Sequence, residues 1–280
     1  MHRYIVKCNF IKLFKLIDCA IYMMIVKVPG LNNMGHNDGC RNAGNAIISE
    51  LKQLRDISSI PLEEIHVNNS KLDEQEKLIC ENSKELLEEH EKVIFLGGDH
   101  SITYSTGKAF LECFGGDSYL IVFDAHPNTI PAMNKPTHDE WLSALVGNGF
   151  PTKNIILIGL RTIKLDERAF LDKNKIRYYE LPKIEDFEVF CDFVMEFANK
   201  PKNSVYISFD IGAVDPAFAP STGHLEPGGF SSREILYFAN RLSKLRNLRA
   251  VDVVEVNSEA DKEKNNVTVK LASRIVKEFL

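Results

Sequence analysis

Apolar runs that alternate with helical patterns along this chain predict an α/β fold built on parallel strands. The runs VIFL, YLIVF and SVYISF are continuously apolar, as strands covered on both faces are. Between them lie stretches whose apolar residues recur every three or four positions, the spacing of crossover helices. The central runs also end in polar clusters, on the side where parallel sheets present ligand-binding groups.

Taken from the N-terminus, the strand candidates are 25–28 (IVKV), 63–67 (EEIHV), 93–96 (VIFL) and 119–123 (YLIVF), followed by 154–160 (NIILIGL), 176–181 (IRYYEL), 204–209 (SVYISF) and 248–256 (LRAVDVVEV). Helical spacing marks 41–54, 71–92, 139–148, 183–200, 231–245 and the C-terminal 267–280. An open sheet flanked by helices and a closed eight-fold barrel both satisfy this alternation, and periodicity does not separate them. No fixed-length repeat and no Pro/Gly linker divides the chain, so residues 23–280 read as one domain. Residues 1–22 are basic and apolar but interrupted by Lys12, Lys15 and Asp18. They are too broken for a membrane span of roughly 18 residues and lack a small-residue cleavage site. They read either as an amphipathic appendage or as sequence ahead of a start at Met23 or Met24.

Composition sets outer bounds. With 280 residues, 44% hydrophobic and 26% charged, the chain can bury a sizeable core. A net charge of −5 without a basic block argues against nucleic acid as a partner. The six cysteines are scattered with no CxxC pair, which points to reduced thiols and a cytoplasmic protein.

The polar clusters carry the chemistry. VIFL is followed by GGDHS (97–101), YLIVF by DAHPN (124–128), SVYISF by DIGAVDP (210–216) and LRAVDVV by EVN (255–257). Each has a plain reading alone: Asp99 as a helix cap, His126 as a core histidine, Asp210 and Asp215 as turn residues, Glu255 as a solvated charge. Together they bring His100, Asp124, His126, Asp210 and Glu255 to one sheet edge. Asp124, His126 and Asn128 alternate, so an extended backbone would point all three the same way. There is no GxGxxG or GxxxxGK[ST] phosphate loop, and Ser101 lacks a GxSxG elbow. His36 and Cys40, four apart without a partner pair, read as loop residues, and the acidic stretch 84–91 reads as a solvated helix face.

The segments GHNDGCRNAGNAI, LGGDHS, FDAHPNT, THDEW, SFDIGAVDPAFAPSTGHLEPGG and DVVEVN, in this order, resemble the ureohydrolase superfamily of arginases, agmatinases and related guanidino hydrolases. The resemblance implies a three-layer αβα fold on an open, mainly parallel eight-stranded sheet. It implies two Mn²⁺ ions sharing a bridging hydroxide that releases urea from a small guanidino substrate, and a homo-oligomer, trimer or hexamer. By position, His100 would bind one metal and His126 the other, Asp124 and Asp210 would bridge them, Glu255 would pair with the guanidinium, and His138 would pass a proton to the leaving amine.

The chain departs from that pattern where the family has DAHxD and DxD: Asn128 and Gly212 replace two carboxylates. An amide oxygen can still coordinate a hard cation; glycine has nothing to offer. At about 4 Å two unit charges interact by roughly 4 kcal/mol at an effective dielectric near 20, so the Gly212 metal should suffer most. Ser221 stands where glycine is usual, and HLEP (224–227) replaces TPEP; His224 is read as a loop residue rather than a ligand. The expectation is a hydrolase with one Mn²⁺ or two weakly held, favouring an agmatine-like substrate over arginine, or else a non-catalytic homologue that binds a ligand or subunit.

Overall fold

The computed structural model describes residues 23–33, 35–132 and 134–280; the reading of residues 1–22 lies outside the described residues. Eight strands form one sheet: β1 Met23–Val28, β2 Leu62–Glu64, β3 Lys92–Gly97, β4 Ser118–Phe123, β5 Ile155–Leu160, β6 Arg177–Glu180, β7 Ser204–Asp210 and β8 Leu248–Val254. Their order is β2-β1-β3-β8-β7-β4-β5-β6, and every pairing is parallel. The sheet is therefore open, and the barrel alternative falls.

Helices α1 Ala43–Leu54, α2 Leu72–Glu89, α3 Ile102–Phe114, α4 Trp141–Gly147, α5 Leu165–Asn174, α6 Phe187–Ala198, α7 Ser232–Leu242, α8 Ser258–Asp261 and α9 Val267–Glu278 connect and cover it. The period-two alternation of strand side chains divides the core into two layers. Ile94 and Leu96 of β3 and Ile121 and Phe123 of β4 pack with α1, α6, α7 and α9. Val93 and Phe95, with Leu120 and Val122, pack on the other face with α2, α3 and α4. The result is the expected αβα sandwich. Among the described residues no helix is long and apolar enough to cross a membrane.

Helices α3 and α5 escape the sequence pattern for opposite reasons. Helix α3, ITYSTGKAFLECF, is buried at eight positions, so its small and polar residues give no amphipathic stripe. Helix α5 buries only Glu167 and Leu171, too few to set a period.

The strand order positions the polar clusters. β3, β8, β7 and β4 are consecutive in the sheet. With neighbours about 4.8 Å apart, their C-terminal ends fall within roughly 15 Å of one another. The loop after β3 is held in place by backbone pairing: Gly98 N–H donates to Val28 O at 2.9 Å, and Gly98 O accepts from Glu255 N–H at 2.9 Å. A Cβ at Gly98 would lie 2.0 Å from Gly30 O, a backbone atom that cannot swing aside. Gly98→Ala is therefore expected to destabilise the fold by at least about 1–3 kcal/mol, the usual cost of overpacking; a denaturant midpoint equal to that of the parent would contradict this reading.

Candidate metal centre

His100 opens the turn into α3, Asp124 follows β4, Asp210 ends β7 and Glu255 follows β8. Asp124, His126 and Asn128 do not converge by strand alternation, as the sequence suggested. β4 ends at Phe123, and Asp124 Oδ1 captures the His126 N–H at 2.8 Å. A short Asp side chain that accepts from the backbone two residues on replaces strand with turn. Asn128 then takes a left-handed backbone (φ 55°), and its amide Nδ2 donates to Asp124 Oδ2 at 2.5 Å.

The centre of the site is His100 Nδ1, 3.1 Å from Asp124 Oδ2 and 3.3 Å from Asp210 Oδ2. His100, Asp124 and Asp210 offer ligand atoms within 4.8 Å of one another, all buried. Asn128 Nδ2 lies 3.4 Å from the same His100 nitrogen. Two carboxylates, one imidazole and an adjacent amide form a donor set suited to one hard or borderline divalent cation. His126 stands beside this group: its Nδ1 is 3.7 Å from Asp124 Oδ1, while its Nε2 faces Glu226 Oε1 at 3.2 Å. At the position that would complete a second set, Gly212 contributes only its N–H, which donates to Asp210 Oδ1 at 2.6 Å.

Glu255 and His138 line one small cleft with His100, His126, Asn128, Asp210 and Gly212, while Asp124 lies fully buried behind it. Glu255 has a left-handed backbone (φ 65°), and its two oxygens accept from His100 N–H at 2.7 Å and Asn37 Nδ2 at 2.6 Å. His138 is nearly buried; its Nε2 is 3.5 Å from Asp139 Oδ1, and its Nδ1 has no hydrogen-bond partner among the described residues. Asp215 lies outside the centre, where its carboxylate accepts from the N–H groups of Ala217, Gly228 and Gly229 as a turn residue. The Asp99 carboxylate accepts from Asn32 N–H and Ser101 N–H, so it ties the β1 and β3 loops together.

A buried layer beneath the centre was not anticipated. Asp252, fully buried in β8, accepts from Ser208 Oγ at 2.7 Å, Tyr206 OH at 2.7 Å and Thr103 Oγ1 at 2.9 Å. Ser208 Oγ also lies 3.0 Å from His100 Nε2. Because Ser208 gives its one proton to Asp252, it accepts from His100 Nε2–H. This fixes the tautomer that leaves Nδ1 toward Asp124 and Asp210. The signal was present in LRAVDVV: a charge inside an apolar strand must find partners. Glu226 was missed as well. It faces His126 and accepts from Thr162 Oγ1 at 3.0 Å, while Arg161 donates to its backbone carbonyl at 2.9 Å.

Burial and charge shift the protonation states strongly. Burial pulls His100 down, but hydrogen bonds to Asp124 and Asp210 overcome it and hold the imidazole well above its ordinary value. Burial likewise opposes His126, yet Asp124 and Glu226 lift it to about 9. Asp124 is pushed up by burial and pulled further down by His100 and His126, ending below the usual carboxylate range. Burial raises Asp210, reinforced by the Asp124 charge. Burial also raises Glu255, to about 8, with Asp210 and Asp99 adding to it.

The arginase family model matches residues 22–280. Arginase 1, mitochondrial, of Arabidopsis thaliana is 29% identical over 254 residues, covering 86% of this chain and 70% of the relative. Among solved structures, the proclavaminate amidino hydrolase of Streptomyces clavuligerus superposes with TM-score 0.81 at 24% identity, over 92% of this chain and 89% of that one. The formimidoylglutamase of Bacillus subtilis gives TM-score 0.83 at 21% identity, over 92% and 85%.

A cation entering this centre must displace the proton that His100 shares with its two carboxylates. Binding of Mn²⁺ is thus expected to release protons and to strengthen as pH rises from 6 to 8. Calorimetry in buffers of different ionisation enthalpy measures the release, and a buffer-independent heat would contradict it. Ser208→Ala, which frees the His100 tautomer, is expected to weaken binding by about 10–100-fold, the usual cost of losing an outer-shell partner.

Proposed function

Since the chain belongs to the arginase family, we propose that it hydrolyses a small guanidino compound to urea with one Mn²⁺ held firmly at His100, Asp124 and Asp210. The observation that carries this reading is the clustering of those ligand atoms where His100 and Asp210 line a cleft together with Glu255 and His138. Asn128 would complete the set by turning its amide oxygen inward. When bound, Mn²⁺ supplies Lewis acidity and lowers the pKa of a water toward neutrality.

The remaining steps belong to the chain. Glu255 keeps a free lone pair on each oxygen beside its two hydrogen bonds, enough to receive a guanidinium fork. His138 lines the same cleft, and its Nδ1, unpartnered among the described residues, is free to carry a proton for the departing amine. Asp139 orients its other nitrogen. His126 would belong to a second metal in a fully ligated relative; here it rests against Glu226, which supports a second ion held weakly or not at all. An agmatine-like substrate is favoured over arginine. The protein is read as a cytoplasmic homo-oligomer, trimer or hexamer; the free state of Cys40, Cys80, Cys113 and Cys191 supports a reducing compartment.

The alternative is a homologue that binds a ligand or subunit without turnover. Gly212 favours it, because no side chain there completes a second ion's ligands.

Metal analysis after dialysis is expected to give close to one Mn²⁺ per chain, and assays over agmatine, arginine and shorter guanidino compounds are expected to detect urea. Two retained ions would refute the weakened second set; no urea from any compound at saturating Mn²⁺ would favour the non-catalytic reading. Asn128→Asp combined with Gly212→Asp is expected to raise both metal content and urea release. A Cβ at Gly212 lies 3.0 Å from Asp210 Oδ1, so that carboxylate has only a few tenths of an ångström to yield.

A guanidinium needs Glu255 ionised, and its carboxyl is raised to about 8. It is therefore neutral below that pH and charged above it, so affinity for agmatine in the metal-free protein is expected to rise between pH 7 and 9. Glu255→Gln should flatten this profile; an unchanged slope in that variant would remove Glu255 from the binding role.

A further inference from the structure

Three histidines from separate loops meet at the mouth of the cleft. His36 lies between β1 and α1, His138 precedes α4, and His224 lies between β7 and α7. Their ring centroids are mutually close: 5.8 Å for His138–His224, 6.1 Å for His36–His224 and 6.4 Å for His36–His138. With metal–nitrogen bonds of about 2.0–2.1 Å, two imidazoles on one ion place their centroids roughly 5–6 Å apart. The triangle is thus close to the size of a three-histidine metal site and slightly open.

From this geometry we propose that His36, His138 and His224 form a second cation site, distinct from the carboxylate centre and selective for Zn²⁺, Ni²⁺, Cu²⁺ or Co²⁺ over Mn²⁺. Two independent features support it. His138 is nearly buried, yet its Nδ1 has no partner among the described residues, so a buried lone pair or N–H is left unsatisfied. Its Nε2 sits 3.5 Å from Asp139 Oδ1, the carboxylate–imidazole pairing that orients metal-bound histidines. All-imidazole donors favour later divalent metals, whereas the His100–Asp124–Asp210 set is rich in the oxygen ligands that suit Mn²⁺.

Among the described residues only that carboxylate group already has its ligand atoms within 4.8 Å. Closing the histidine triangle takes side-chain rotation, which His36 and His224 can make because both are exposed. His126, 5.8 Å from His224 by ring centroid, and Glu226 beside it flank the site on its inner side. An ion there occupies His138, so it opposes the proton transfer assigned to that residue; this consequence rests on the proposed function, whereas the site itself does not.

Titration of metal-free full-length protein with Zn²⁺ tests the site without an activity readout, and Mn²⁺ electron paramagnetic resonance monitors the carboxylate centre separately. The parent is expected to take two Zn²⁺ per chain, and His36→Ala with His224→Ala to take one, with Mn²⁺ binding unchanged. Asp124→Asn with Asp210→Asn should lose Mn²⁺ binding and keep one Zn²⁺. Co²⁺ should give visible absorption bands that disappear in the histidine double variant, whose thermal melt confirms folding. The proposal is overturned if the double variant binds Zn²⁺ as the parent does, or if the parent takes a single Zn²⁺.

Discussion

The site is built around the cost of crowding negative charge in a buried place. Asp99, Asp124, Asp210, Asp252 and Glu255 are each at least nine-tenths buried around the β3, β4, β7 and β8 tips. Like charges this close cannot all ionise without compensation. His100 supplies it from the middle, meeting Asp124 and Asp210 through one nitrogen and Asp252, through Ser208, by the other. The imidazolium therefore stands where a metal cation would satisfy the same two carboxylates. That is why the centre can be both internally paired and ready to exchange a proton for an ion.

The departures from the family pattern make sense in the same terms. Asn128 does not simply leave a gap: its amide donates to Asp124 Oδ2, giving that oxygen a neutral partner. Gly212 likewise offers its N–H to Asp210 Oδ1. Asn128 offers a donor where a carboxylate would only accept, whereas the Gly212 donor is the backbone N–H that any residue there would carry. The His100 group keeps its carboxylates, while His126 faces Glu226.

The sequence made the parallel α/β framework legible because buried strands leave continuous apolar runs, as VIFL and SVYISF do. It made the convergence of His100, Asp124, Asp210 and Glu255 legible because strand ends are where a parallel sheet exposes polar groups. It could not choose the open sheet over the barrel, since pairing order is not a periodic property; only the resemblance pointed there. It also misread how Asn128 reaches Asp124. A turn set by a side-chain-to-backbone hydrogen bond has the same spelling as a strand end. For the Asp252–Ser208 layer, the charge inside LRAVDVV signals that partners must exist but not which residues of neighbouring strands supply them. His36 and His224 were set aside because their partners, His138 and each other, are distant in sequence.

The backbone of Glu255 bears on whether the cleft is more than an inherited shell. A non-glycine residue held at φ 65° costs of order 1 kcal/mol or more and persists only where its surroundings over-determine it. Here the surroundings do so: its N–H donates to Gly98 O, while its carbonyl and carboxylate both take Asn37 Nδ2. The strained turn aims a carboxylate into the cleft, where burial and the Asp210 charge raise its pKa. Strain and desolvation both disfavour that arrangement in the free protein, and a cationic ligand in the cleft relieves the electrostatic part. His138 and His224 line the same cleft, so a ligand that pairs with Glu255 would meet imidazoles as well as carboxylates.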